Sequence, residues 1–220
     1  MENQTSSPAA TFTILFPRPE NADLLTHFSL VLDSIPGDDW NILAKRRAGD
    51  YFTNYKKVIK AELVPGMDRT AAFLNYYQGT RGYIKYNDNG YVVLEDFSDE
   101  YTGGAHGYYF STTHNYDVTN NKELQLTDVL RADKLLLRTL LEAKYLKDHN
   151  LPIGSPIKKH LFVDHLDASQ NFYFNEHGIA FIYHPYEIAS YAEGQITILL
   201  PYASVKNYLT PAFAQRMKIN

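Results

Sequence analysis

Strand-like segments in this chain come in clusters and do not alternate with helices, and that ordering limits the fold more than any single motif. Thr11 to Phe16 alternates in β-formers and ends at Pro17, which reads as a strand. Asn21 offers an N-cap, and Leu24, Phe28, Val31, Leu32 and Ile35 follow at helical spacing until Pro36-Gly37 stops them. A second helix is expected from near Asp39 to Leu63, with Leu43, Tyr51, Tyr55, Val58, Ile59 and Leu63 as its buried stripe. Strands then take over. Tyr83–Tyr86 and Tyr91–Leu94 flank Asn89-Gly90, a hairpin signal because both residues tolerate positive φ. The second of these continues to Tyr101, Tyr108–Val118 follows, and Asn120-Asn121 turns the chain back through Glu123–Leu126, so a meander of about four antiparallel strands is expected.

The next helical body spans Ala132 to His149, on Leu136, Leu137, Leu140, Leu141 and Tyr145. Phe172–Phe174 and Ile179–Tyr183 form a second hairpin, Gln195–Leu200 another strand, and Pro201 introduces a final helix over Ser204–Leu209. The expected class is therefore α+β: antiparallel sheet in two strand clusters, with helices packed on one side. Residues 1–10 read as a polar leader and 11–220 as one unit; a division into two subdomains, 11–100 and 101–213, sharing one core is the alternative.

Composition narrows the function classes. A net charge of −4 argues against sequence-independent nucleic-acid binding, which needs many Lys and Arg contacts to phosphate. No stretch approaches the roughly 20 apolar residues that span a bilayer. Cysteine is absent, so disulfides, thiolate metal sites and cysteine nucleophiles are excluded. Tyrosine is abundant, with 18 residues against 12 Gly and 10 Pro. A ring with a polar tip suits a half-wet sheet face, and it also suits a stacking platform for a sugar or protein partner.

Two segments could carry recognition. Gly103-Gly104-Ala105-His106-Gly107 places three glycines in five residues, as a turn with positive φ or a close backbone approach requires, and it matches no phosphate-loop pattern. His184-Pro185-Tyr186-Glu187-Ile188-Ala189 interrupts two strands and leads to Tyr191 and Glu193. Its structural reading has Tyr186 and Ile188 plugging the core while Glu187 caps backbone N–H groups; its functional reading is a recognition loop. The candidate binding residues are Tyr101, Gly103, Gly104, His106, Tyr186, Glu187 and Tyr191.

Catalytic signatures are sparse. His160 and His165 are five apart with Asp164 between them, and His106, His114 and Glu187 would make a metal site only if their strands met, so neither a metal nor another cofactor is expected. There is no G-x-S-x-G elbow. The adjacent acids Glu95-Asp96 and Asp99-Glu100 point to opposite strand faces and do not form working pairs.

Three stretches together resemble a known family. They are Tyr101 to Gly107, Lys122 to Leu130, and Phe172 to Tyr202 with its Gly178-Ile179-Ala180-Phe181 and Pro185-Tyr186-Glu187-Ile188-Ala189 core. The pattern resembles the extracytoplasmic domain shared by RsiV-type anti-sigma factors and the non-catalytic part of PdaC-type peptidoglycan deacetylases, over about Thr11 to Phe213. The resemblance implies a periplasmic or cell-surface location, with any signal sequence or lipid anchor lying outside this sequence. It implies a binding or sensing role toward a lysozyme-like protein or a peptidoglycan glycan. The sigma-binding segment, the transmembrane helix and the deacetylase domain of those relatives are missing here. A non-enzymatic envelope domain is therefore expected, with two alternatives: a cell-wall hydrolase using His106 and Glu187, and a structural lipoprotein domain.

Overall fold

The computed structural model describes residues 8–33 and 40–219. The expected Pro36-Gly37 break and most of the polar leader lie outside them. The order is β1 (Ala10–Leu15), α1 (Ala22–Asp33), α2 (Trp40–Glu62), β2 (Tyr76–Asp88), β3 (Tyr91–Tyr101), β4 (Tyr108–Asp117), β5 (Lys122–Glu123), α3 (Leu126–Val129) and α4 (Lys134–Asp148). Then come β6 (Phe172–Phe174), β7 (Gly178–Tyr183), β8 (Ile196–Pro201), α5 (Tyr202–Val205) and α6 (Pro211–Arg216). Strands β1 to β5 form one sheet in chain order, and β6-β7-β8 form a second. The fold is α+β.

By compactness the chain divides into two units. The first holds residues 1–83 and 96–109, the second 84–95 and 110–220. Strands β2, β3 and β4 each contribute residues to both.

In the first unit, Asn21 caps α1 by accepting the Leu24 N–H at 2.9 Å. Trp40 of α2 donates its indole N–H to Ser29 Oγ of α1 at 2.9 Å, and Arg47 donates to the Leu32 carbonyl at 2.9 Å. Tyr55, Ile59 and Leu74 form a small core with Ala10, Leu63, Met67, Ala71 and Tyr76 against it. Strand β1 runs parallel to β2, from Ala10 opposite Tyr76 to Leu15 opposite Arg81. The sequence pattern predicts antiparallel sheet and names no partner for the first strand, so this parallel pair comes from the structure alone. Parallel pairing needs a long crossover, and the α1–α2 pair supplies it. Strand β2 also starts seven residues earlier than the expected Tyr83. Gly79 hides this stretch from a propensity reading; a Cβ there would press on the paired ends of the Asp99 and Arg81 side chains, which pass across the glycine.

In the second unit, the Asn89-Gly90 turn has φ of 52° and 72°, as a tight hairpin demands. Strand β5 pairs with β4 for only two residues. Asp133 caps α4 by accepting the Leu136 N–H at 2.8 Å, and α4 buries Leu137, Leu141, Tyr145 and Leu146. Strand β7 is buried along its whole length between β6 and β8, both antiparallel to it. The Phe174 ring meets Tyr91 and Phe213 edge-on, at 5.3 and 4.9 Å. Each such buried ring contributes about 1.5–3 kcal/mol through removal from water.

The expected last helix over Ser204–Leu209 corresponds to α5 and the 3-10 turn Lys206–Tyr208 that continues it, and α6 is a further helix beyond that span. The 3-10 turn ends at Leu209, which bridges to Leu130, and Thr210 with Pro211 at the first helical position begins α6. Where β4 approaches β6, side chains do the joining. Asn171 accepts from the Thr113 N–H and hydroxyl at 2.9 and 2.8 Å and donates to the Ser111 carbonyl at 2.7 Å, while Asn115 donates to the Phe172 carbonyl at 2.7 Å.

Candidate functional site

The first unit carries a cleft of about 560 Å³ between the second half of α2, the start of β2 and the end of β3. Tyr51 and Tyr55 enter it from α2, four residues apart and so on one face of the helix, and Tyr76 enters from β2. The Tyr55 and Tyr76 rings stand 5.3 Å apart, and the Tyr55 hydroxyl donates to the Leu74 carbonyl at 3.0 Å. The Tyr51 hydroxyl is buried and, among the described residues, meets no hydrogen-bond partner. Asn54 and Gln78 bring amides, and Asp50 and Glu100 bring carboxylates. Among the described residues lining the cleft there is no lysine, arginine or histidine.

Burial pushes the phenol pKa of all three tyrosines up. Negative charge adds to this: Glu100 acts on Tyr51, and Glu62 on Tyr76. The cleft therefore combines aromatic walls, hydrogen-bonding amides and a negative potential.

A hollow of about 290 Å³ continues from it, sharing Tyr76 and Thr102 and bounded by Glu62, Met67, Phe73, Gly103 and Gly104. Two of the expected binding residues thus lie in its wall. Gly103 and Gly104 have φ of 89° and 100°. Tyr101 closes this turn by donating its hydroxyl to the Gly104 carbonyl at 2.9 Å, and its ring stacks on Tyr77 at 6.2 Å. Gly107 marks a close backbone approach, since a Cβ there would stand 2.8 Å from the Glu100 carbonyl oxygen. His106 is exposed, with Nδ1 2.8 Å from the Gly107 carbonyl oxygen.

The second unit carries the other expected segment. Glu187 accepts the His184 N–H at 2.8 Å, so it does cap backbone. Ile188 is buried, as a core plug should be. Tyr186 is not a plug. It is 57% exposed and holds a positive φ of 68°, with its ring 5.8 Å from that of Tyr191. The turn that buries Ile188 leaves the preceding residues on the outside, closed by the Tyr186 N–H on the Ala189 carbonyl at 3.1 Å. His184 itself lies with Nε2 2.6 Å from the Ser111 carbonyl oxygen.

The remaining candidate ligands take local partners. His114 Nδ1 is 3.0 Å from Glu123 Oε1. His160 meets the Ser155 hydroxyl at 3.2 Å, His165 meets Glu142 at 3.4 Å, and Lys158 meets Asp164 at 3.4 Å. The His160/Asp164/His165 spacing therefore leads to three different partners. The second unit has a hollow of about 360 Å³ beside Glu142 and His165 and a more open one of about 420 Å³ lined by Ile84–Asp88 and Glu176.

The cleft residues were visible in the sequence only in other roles. Tyr51, Tyr55 and Val58 are legible as a helical stripe, but whether a stripe faces a packed core or an open cleft depends on what lies opposite. Glu100 is legible as one of a pair of adjacent acids. The structure sends the two apart: Asp99 to Arg81, Glu100 to the cleft.

Residues 108–203 match the family model described as a protein of unknown function (DUF3298). Among solved structures, the chain is similar to a DUF3298 family member from Bacteroides fragilis NCTC 9343. The two are 26% identical over 90% of this chain and 82% of that one, with a TM-score of 0.79. A DUF3298 family protein from Pseudomonas aeruginosa PAO1 shares the fold, at 21% identity over 72% of this chain and 78% of that one, with a TM-score of 0.53. No curated protein matches. The chain thus carries, over residues 108–203, a region matching a family of unknown function, on a fold that solved members of that family share.

Proposed function

We propose that the chain is a non-enzymatic cell-envelope binding or sensing domain, working outside the cytoplasm on a protein or glycan partner. The observation that carries this is the tyrosine-walled cleft of the first unit. It offers three rings, two amides and two carboxylates, and binding sites are built from such groups. The resemblance to RsiV-type sensor domains and to the non-catalytic part of PdaC-type deacetylases supports the envelope location and the choice of partners.

The test is co-sedimentation of the full chain with purified peptidoglycan sacculi, alongside calorimetric titration with lysozyme. Saturable binding to either supports the reading. Absence of binding to both, with cell fractionation placing the protein in the cytoplasm, overturns it.

A further inference from the structure

We infer that the cleft of the first unit takes a ligand bearing a free ammonium group on a hydroxylated body, for which an unacetylated amino sugar is the simplest model. This deepens the binding-domain reading and rests on it. Three features select that chemistry over a neutral or anionic ligand. First, Asp50 and Glu100 put two carboxylates on the cleft, while the described lining residues include no cation. An anion would therefore meet only repulsion, and a cation would find charge partners. Second, Tyr51, Tyr55 and Tyr76 supply the ring faces that attract an organic cation and cover the apolar face of a sugar ring. Third, Asn54, Gln78 and Thr102 supply donors and acceptors for ligand hydroxyls.

The cleft is also the right size. Small-molecule sites commonly enclose roughly 300–1,000 Å³, and this one encloses about 560 Å³. Nothing in the inference needs bond making or breaking.

The experiment titrates the full chain, by calorimetry, with the glucosamine trimer, its fully N-acetylated counterpart and Nα-acetyl-lysine amide. The two trimers differ by acetylation, which removes the charge. The glucosamine trimer is expected to bind at least about tenfold more tightly than the acetylated one, a difference of about 1.4 kcal/mol. Glu100→Gln and Asp50→Asn should each weaken it severalfold, leaving the thermal unfolding midpoint unchanged. Asn54→Ala should weaken both trimers, because the amide serves the sugar and not the ammonium.

Equal affinity for the two trimers, no binding of either, or no effect of the two carboxylate variants would overturn the inference. Lysine amide binding as tightly as the trimer would also overturn it, by showing that the hydroxylated body contributes nothing. If Glu100→Gln and Asp50→Asn leave binding to sacculi or lysozyme intact, the binding-domain reading stands and this inference alone fails.

Discussion

The guanidinium carbon of Arg216 lies 4.0 Å from the centroid of the Tyr91 ring. From that seat Arg216 donates to the Asn89 and Gly90 carbonyls at 2.8 Å each, to Thr119 Oγ1 at 2.6 Å and to Asp117 Oδ2 at 2.6 Å. One planar side chain thus fastens α6 to the β2–β3 turn and to the end of β4. Lysine cannot reproduce this, since it has neither the fork nor the flat face. Arg216→Lys and Arg216→Met are each expected to cost about 2–3 kcal/mol, because both leave the buried Asp117 carboxylate poorly paired. Urea denaturation measures this, and a lysine variant as stable as the parent would show that the fork is not the fastener.

The same pair sets an acid limit. Burial would raise the Asp117 carboxyl pKa, but hydrogen bonds from Arg216 and Asn120 outweigh it and hold the pKa below its ordinary value of 3.8. A depressed folded-state pKa adds stability above the unfolded value, and that stability is lost as pH falls through the folded one. The gap in stability between the parent and Arg216→Met is therefore expected to be widest near neutrality and to close below about pH 4. Unfolding midpoints measured from pH 7 down to 2 would show it.

At the alkaline end two buried phenols matter. The Tyr183 hydroxyl donates to the Asp167 carbonyl at 2.6 Å and the Tyr202 hydroxyl to the Asn175 carbonyl at 2.7 Å. Burial pushes both far above the ordinary tyrosine range. A raised folded-state pKa leaves stability intact below the unfolded value near 10 and erodes it above. Phenolate absorbance from these two tyrosines should appear only as the protein unfolds, which pH titration at 295 nm followed alongside circular dichroism would reveal. Tyr183→Phe and Tyr202→Phe should each lose about 1 kcal/mol at neutral pH.

The loop after β7 separates a plug from a displayed ring. Ile188→Ala should cost about 2–4 kcal/mol as a core truncation. Tyr186→Gly should be neutral or gain up to about 1 kcal/mol, because glycine adopts positive φ without the strain tyrosine carries there. Thermal melts of the pair decide it, and a large loss for Tyr186→Gly would return that ring to the core.

Local chemistry was the legible part of the fold. The Asn21 cap, the Asn89-Gly90 turn and the apolar stripe of α4 each follow from residues a few positions apart. Features that depend on distant partners were not. The choice of β2 as a parallel neighbour for β1 leaves no trace in an alternating run, because alternation records which face is buried and not which strand lies alongside. Gly79 reads as a weakness until Asp99 is seen beside it. Arg216 looks like any surface cation near a chain end, since its four hydrogen bonds go to residues some 100 positions or more away. The tyrosines of the cleft are legible as an amphipathic face, and only the tertiary structure leaves room in front of them.

The two compact units exchange chain three times, at the boundaries after residues 83, 95 and 109. No contiguous stretch of the gene therefore encodes either unit whole. A fragment that begins at Tyr108, where the family match starts, carries all of residues 110–220 but omits residues 84–95, and with them Val93 and Leu94, which are fully buried. In evolutionary terms the two halves are one heritable cassette: recombination can transplant them together, but any single crossover inside the chain leaves at least one of them incomplete.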